Sequence, residues 1–398
     1  MSSKLKVRVA ALVAVTLAIT AGGLSLVATD AASSAASAGS VPSWCKDFSG
    51  GILCAKPAAT PPTWCGTKQV NLAWADGFAD NSWREQSAAE AVNEASKCSN
   101  VTAFTHTDGQ GNTQKAISDL NGLAAKGTNA IVVFADAGKA MLPAIHAAYK
   151  QGSVVIPFRV HVGGKANTDY TTFVGTDFKT DGVVWAKWMV KALHGKGNVV
   201  YLGGPAGTTE SLEKSQGIKS VFKHYPGIHW IGQHPFEVTN WDASLTTKVL
   251  TALVAKYPKI DGVIADLASS VATSFGVFTR ANRPLPKVAG EDANGLGCTY
   301  KKLYKANHKT TFQVGTTSAE TWNVRLAVEW AVSLAAGGKI TKPIVVHGHV
   351  VAKPGAHYVT NFPYDNSLKG VVACNPNLPA AAANSAGLTP AQIAAALK

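Results

Sequence analysis

Three observations predict an α/β fold built as two doubly wound parallel-sheet lobes. Short apolar runs alternate with polar loops and helical patterns along most of the chain. The alternation restarts near Thr171, after three strand–helix–strand units. The 398 residues exceed one ordinary domain and suffice for two sizeable α/β cores. Charged residues make up 15% and hydrophobic ones 46%, which excludes a disordered chain and a multi-span membrane protein.

The first unit sets the pattern. Residues 70–75 are an apolar run too short, and too closely flanked by turn residues, for a helix; a buried parallel strand is expected. The loop Asp76-Gly77-Phe78-Ala79-Asp80-Asn81-Ser82 follows, and a helical pattern opens at Trp83 and runs to Ala95. Either Asn81 or Ser82 can cap that helix, with Glu85 at capping-box spacing from Ser82. A strand, a polar loop and a helix N-terminus in this order is where open α/β sheets bind ligands. Further strands are expected at 101–105, 130–134 and 154–158, with helices at 113–125 and 140–150. The second series has strands at 171–174, 199–202, 229–233 and 262–265, and one from Val288 to Glu291-Asp292. Its helices run over 181–193, after Glu210 to His224, after Asp242 to Lys256 and after Asp266 to Arg280. A return then follows: a strand at 311–314, the turn Gly315-Thr316-Thr317, a helix at 320–336 and a strand at 344–351. An Ala-rich tail ends in a short helix opening at Thr389-Pro390.

Residues 1–38 read as an export leader. Lys4, Lys6 and Arg8 precede an apolar stretch, and Ala36-Ser37-Ala38 is an A-x-A cleavage site; cleavage after Ala32 and retention as an anchor are the alternatives. No Cys follows the stretch closely, so a lipid anchor is not supported. An exported location, extracellular or at the cell surface, is expected. The net charge of +13 falls to +11 once three cations and one acid of the leader are removed. The remaining Lys and Arg are scattered, without a run or a DNA-binding motif, so no nucleic-acid partner is expected.

Six cysteines in an exported chain suggest three disulfides, for which 15 pairings exist. Cys65 precedes the first strand and Cys98 follows the first helix; in a right-handed βα unit both lie at one end of the sheet, which favours their pairing. Cys45 and Cys54 flank a Gly-Gly turn and close a local loop, leaving Cys298 with Cys374. No pair has CxxC spacing, so neither a metal nor another cofactor is expected. Residues 39–67 read as a cysteine-stapled extension.

Sequence motifs argue against catalysis. The loop from Gly203 to Gly207 lacks a Walker lysine and does not match G-x-G-x-x-G, so a strand-to-helix loop is the expectation. His347-Gly348-His349 has no third ligand in view and reads as surface histidines. Ser211, Ser215 and Ser318 sit in no G-x-S-x-G elbow, and no paired base can be assigned; a non-enzyme is expected. The strand C-ends carry the signal instead: Asp76, Asn81, Arg84, Asp136, Arg159, Asp177, Asp266, Asp292 and Thr316, with Trp83 and Trp241 on the same loops. Carboxylates, guanidinium and amide groups beside indoles suit a polyhydroxylated ligand, whose hydroxyls pair with them while its C–H faces stack.

These residues bring out a resemblance to the ribose-binding branch of the periplasmic sugar-binding proteins of ABC transporters, spanning about Lys68 to Ala373. Asn81-Ser82-Trp83-Arg84, Arg159, the loop Gly204-Pro205-Ala206-Gly207-Thr208, Glu213-Lys214-Ser215-Gln216-Gly217, Trp241 and Gly290-Glu291-Asp292 carry it, and Thr316 falls where a Gln often contacts sugar. Phe134, Phe158 and Leu212 stand where the family has Asn, Asp and Arg. The resemblance implies a type I clamshell of two lobes joined by a three-strand hinge, with crossings near Phe173, Thr316 and His347. Lobe 1 is then 68–173 with 317–347, lobe 2 is 174–316 with 348–375, and 376–398 is a tail. No disulfide spans that hinge, as lobe closure requires. It also implies a monomer that captures a sugar or polyol-like small molecule for an ABC permease, using Asp76, Asn81, Trp83, Arg84, Asp136, Arg159, Trp241, Asp266, Asp292 and Thr316, with Trp83 and Trp241 sandwiching the ring. The alternative is a ligand sensor signalling to a membrane receptor.

Overall fold

The computed structural model describes residues 41–56, 58–307, 311–339, 374–383 and 387–398, together with four short strands between 344 and 364. The leader and His347-Gly348 lie outside these residues.

Each apolar run bounded by turn residues becomes a buried strand, and each capped amphipathic run a covering helix. In chain order the first series is β1 (Val70–Asp76), α1 (Ser82–Ala95), β2 (Val101–Asp108), α2 (Thr113–Ala125), β3 (Ala130–Phe134), α3 (Leu142–Lys150), β4 (Val154–Arg159) and β5 (Val174–Gly175). The second is α4 (Phe178–Ala192), β6 (Gly197–Gly203), α5 (Thr209–Phe222), β7 (Ile228–Trp230), β8 (Glu237–Val238), α6 (Ala243–Lys256), β9 (Gly262–Ala265), α7 (Ala268–Thr273), α8 (Gly276–Arg280), β10 (Lys287–Glu291), α9 (Asn294–Asn307) and β11 (Val314–Thr317). The return is α10 (Asn323–Ala336), β12 (Ile344–Val346), β13 (His349–Ala352), β14 (Tyr358–Val359), β15 (Pro363–Tyr364) and α11 (Pro390–Ala396).

The first sheet has the order β14-β5-β4-β3-β1-β2 and the second β15-β11-β10-β9-β6-β7, with β8 beside β6. Both cores therefore carry the doubly wound order 2-1-3-4-5, which reverses direction between β1 and β3 and between β6 and β9. Such switch points open a crevice at the strand C-ends. Helices bury both faces of each sheet: α10 and α1 pack one face of the first, and α4 with α5 one face of the second. The three disulfides join Cys45 to Cys54, Cys65 to Cys98 and Cys298 to Cys374.

Strand pairing moves several boundaries from those the sequence suggests. Of the expected 171–174 strand only Val174 joins the first sheet, where with Gly175 it pairs with Phe158 and Arg159. Tyr358–Val359 pairs with Val174–Gly175, whereas Pro363–Tyr364 pairs with β11 in the second sheet. The expected turn Gly315-Thr316-Thr317 is the body of β11, where the Trp188 indole lies over Gly315 and a Cβ there would meet it at 2.1 Å. The expected strand at 344–351 is the antiparallel hairpin β12–β13. The helix expected up to Arg280 breaks between α7 and α8, and α9, β8, β14 and β15 had no sequence expectation.

The termini fold back. Trp44, Leu53 and Trp64 of the Cys-rich segment and Leu388 and Ile393 of the tail are buried in the core on the α1–α10 face. The tail also ties the lobes. Asn294 of α9 donates to the carbonyls of Asn375 and Leu378, each at 2.9 Å, and its backbone N–H donates to Ala382 O. The next residue, Ala383, is held by Gln86 of α1: its N–H donates to Gln86 Oε1 and its carbonyl accepts from Nε2, both at 3.0 Å. Ala382 and Ala383 are thus bonded to opposite lobes.

Candidate functional site

The two crevices face each other across a solvent-open cavity whose free space, solvent included, is about 280 Å³. Lobe 1 lines it with Asn81, Trp83, Arg84, Phe134 and Arg159, and lobe 2 with Glu210, Trp241, Asp266, Leu267 and Glu291. A wider outer compartment adjoins it, where Phe78 of lobe 1 meets Trp241 of lobe 2 at 6.2 Å between ring centroids.

On the lobe 1 side, Asn81 is the cap of α1: its Oδ1 accepts from Arg84 N at 3.0 Å. The cap turns the first helical turn so that Arg84 lies across the strand ends. Arg84 Nη1 donates to Asp76 Oδ1 at 2.6 Å and Nη2 to Asp136 Oδ1 at 2.5 Å, with the guanidinium 3.2 Å over the Phe134 ring. Burial pushes the Asp136 carboxyl up to about 7, Asp76 adding to the effect and Arg84 opposing it. Burial also acts on Asp76, yet Arg84 and His106 outweigh it and hold that carboxyl below its usual value.

Arg159 is the bridge between lobes. It ends β4 with φ +63°, a left-handed conformation rare for a residue with a Cβ. From there Nη2 donates to Glu210 Oε1 at 3.1 Å and to Glu291, while the guanidinium lies 4.5 Å over Trp83. Asn240, Trp241 and Glu320 near the cleft also have positive φ. Strain of this kind persists where surrounding structure enforces it, commonly at functional sites.

On the lobe 2 side, Asp266 accepts from Tyr201 Oη and Ser211 Oγ, both at 2.6 Å. Lys214, wholly buried, donates to Glu210 Oε1 at 2.6 Å and to Glu291 Oε1 at 3.2 Å and lies 3.5 Å from Asp266 Oδ1. Burial pushes Glu210 up, but Arg159 and Lys214 overcome it and bring it down to about 2. Burial raises Glu291, which Lys214 and Arg159 only partly offset. The glycine loop has a packing role: a Cβ on Gly204 would meet the Trp241 indole at 2.2 Å, and one on Gly203 the Phe236 ring at 2.5 Å.

Of the residues singled out in the sequence, Asn81, Trp83, Arg84, Arg159, Trp241 and Asp266 line the inner cavity. Asp136 lines the outer compartment, and Asp76 lies behind Arg84. Asp292 accepts from Ala319 N at 2.5 Å and so braces the second crossing, Thr316 is buried within β11, and Asp177 caps α4. Trp83 is buried, donates its Nε1–H to Ala319 O at 2.6 Å, and has Arg159 stacked on its ring. Glu210, Leu267 and Glu291 line the cavity without having been expected to bind ligand, and Lys214 was named only as part of the resemblance; the i,i+4 spacing of Glu210 and Lys214 was the signal available.

A family model of the periplasmic binding protein domain matches residues 76–339. The chain belongs to this family, a non-catalytic group of binding proteins. The xylitol-binding protein of Mycolicibacterium smegmatis is 25% identical over 176 residues, 44% of this chain. That match spans 49% of the relative, about half its length. Among solved structures, a periplasmic solute-binding protein from Actinobacillus succinogenes with bound D-allose is 21% identical, with a TM-score of 0.58 over 75% of this chain and 98% of that one. The arabinose-binding component from Shewanella sp. ANA-3 is 13% identical, with a TM-score of 0.61 over 75% and 92%. At these identities the likeness establishes the shared clamshell fold.

Proposed function

We propose that the chain is an exported solute-binding protein that captures a sugar or polyol between its lobes and delivers it to an ABC importer. The observation that carries this reading is the cavity wall: lobe 1 contributes two buried cations, Arg84 framed by Asp76 and Asp136 of its own lobe and Arg159 by Glu210 and Glu291 of lobe 2, with Trp241 beside them. Such a wall matches many hydroxyls, each a donor and an acceptor, and an indole accepts the C–H face of the ligand. The xylitol, allose and arabinose ligands named for the relatives fit this chemistry. Export rests on the basic, apolar and small-residue order of residues 1–38.

A thermal-shift screen of residues 39–398 against pentitols, pentoses, hexoses and cyclitols tests the reading. A ligand at about 100 times its Kd stabilises by about 2.7 kcal/mol. At least one neutral polyol or sugar is expected to raise Tm, and Trp241→Ala to remove the shift while leaving the circular dichroism unchanged. No shift across the panel contradicts the proposal.

A further inference from the structure

The most buried ionic group of the cleft does not reach the ligand space. Lys214 is fully buried and absent from the cavity lining, yet its ammonium sits among carboxylates from three elements: Glu210 on α5, Asp266 at the end of β9 and Glu291 at the end of β10. All three carboxylates line the cavity. On its other side the ammonium lies 5.3 Å from the Phe178 ring centroid and 4.9 Å from that of Trp185, both on α4. A buried ammonium is tolerated only when paired.

We propose that Lys214 is a positioning residue: it holds Glu210, Asp266 and Glu291 together as an acceptor wall that selects hydroxyl-rich, uncharged ligands against anionic ones. The inference rests on the sugar and polyol reading above and narrows its ligand class. Arg159 is the second cation on this wall, reaching Glu210 and Glu291 from lobe 1, and Tyr201 of β6 donates to Asp266. Three carboxylates thus face two cations in lobe 2's half. In lobe 1's half Asp76 and Asp136 face Arg84, with His106 3.6 Å from Asp76. The half formed around lobe 2 thus holds one more acid than base. A carboxylate or phosphate on the ligand adds to that surplus, whereas a hydroxyl donates into it.

Two measurements decide the proposal. The first needs no ligand: the Tm of wild type and Lys214→Met is followed from pH 5 to pH 8. Lys214 has its pKa raised by Asp266, Glu210 and Glu291 against the opposing effect of burial, so its own contribution is constant over this range. Without it Glu210 and Glu291 keep only Arg159 as counter-charge, and their pKa values rise. The deficit of the variant is then expected to be small at pH 5 and to grow towards pH 8. In Glu210→Gln/Lys214→Met, where one acid leaves with the lysine, that growth is expected to shrink. A deficit independent of pH reduces Lys214 to packing and overturns its role, and so does a double variant as pH-sensitive as the single one.

The second measurement compares wild-type binding of xylitol, ribitol and arabinitol with that of xylonate and xylitol 5-phosphate. A preference of at least tenfold for an uncharged member is expected, about the worth of one charge-assisted hydrogen bond. An anion bound as tightly as the polyols overturns the selectivity. Silence from every sugar and polyol counts against the proposed function, and the ligand-free pH profile still decides the role of Lys214.

Discussion

Arg159 concentrates the chemistry of the cleft in one side chain. Its guanidinium crosses from lobe 1 to Glu210 and Glu291 of lobe 2, and its left-handed backbone aims it there. A flexible ammonium cannot reproduce that planar fork. Arg159→Lys is therefore expected to weaken polyol binding by about tenfold or more while the chain stays folded, read by calorimetry. An unchanged affinity removes Arg159 from the ligand contacts. Away from the cleft, Glu329 on α10 is pushed up to about 9 by burial and by Glu94. Its folded pKa lies above the ordinary 4.5, so the stabilisation from its bound proton is complete below that value and fades as pH climbs towards 9. Glu329→Gln is accordingly expected to raise Tm by a few degrees at pH 8 and to leave it unchanged at pH 4.5. Parallel pH profiles for the two proteins contradict that coupling.

At the scale of elements, local signals were legible and long-range ones were not. Strands β3 and β9 stood out because their apolar runs end at glycine or polar turns, and α1 and α6 because Asn81 and Asp242 cap them. α9 was missed because Gly295 and Gly297 interrupt its first turns and its apolar residues are sparse. β11 was displaced because Gly315-Thr316-Thr317 has turn composition, and only the packing of Trp188 shows that the glycine is a close approach. In the site, Glu210 and Lys214 look in sequence like a solvent-facing helical pair; their burial comes from α4 and β10, which are distant in the chain. The strap formed by the tail was equally hidden, since its hydrogen bonds join residues more than 80 positions apart. Adjacent Cα atoms are about 3.8 Å apart, so lobes that swing away from this point must release one clamp. Gln86→Leu, close in volume but unable to bond Ala383, is expected to enlarge the ligand-free radius of gyration in small-angle scattering. An unchanged radius shows that the strap does not restrain opening.

For the whole molecule, three crossings, a tail clamp and a cross-cleft ion network act on one degree of freedom, the angle between the lobes. The Arg159 cation of lobe 1 is unfavourable to bury unless Glu210 and Glu291 of lobe 2 partner it, so closing the lobes and completing the site are one event. A ligand shifts that equilibrium only by contacts present in the closed form and absent from the open one. The Asn81–Arg84 half and the Trp241–Asp266 half lie on opposite lobes, which is why the ligand is expected to touch both. The central claim is that this inter-lobe cavity seats one neutral polyhydroxylated molecule. Titration calorimetry of the wild type at pH 7.5 against the polyol and sugar panel measures it most directly. The expected result is saturable binding of at least one uncharged member at one molecule per chain, lost in Trp241→Ala. Saturable binding that survives intact in that variant, or no heat from any member, contradicts the account.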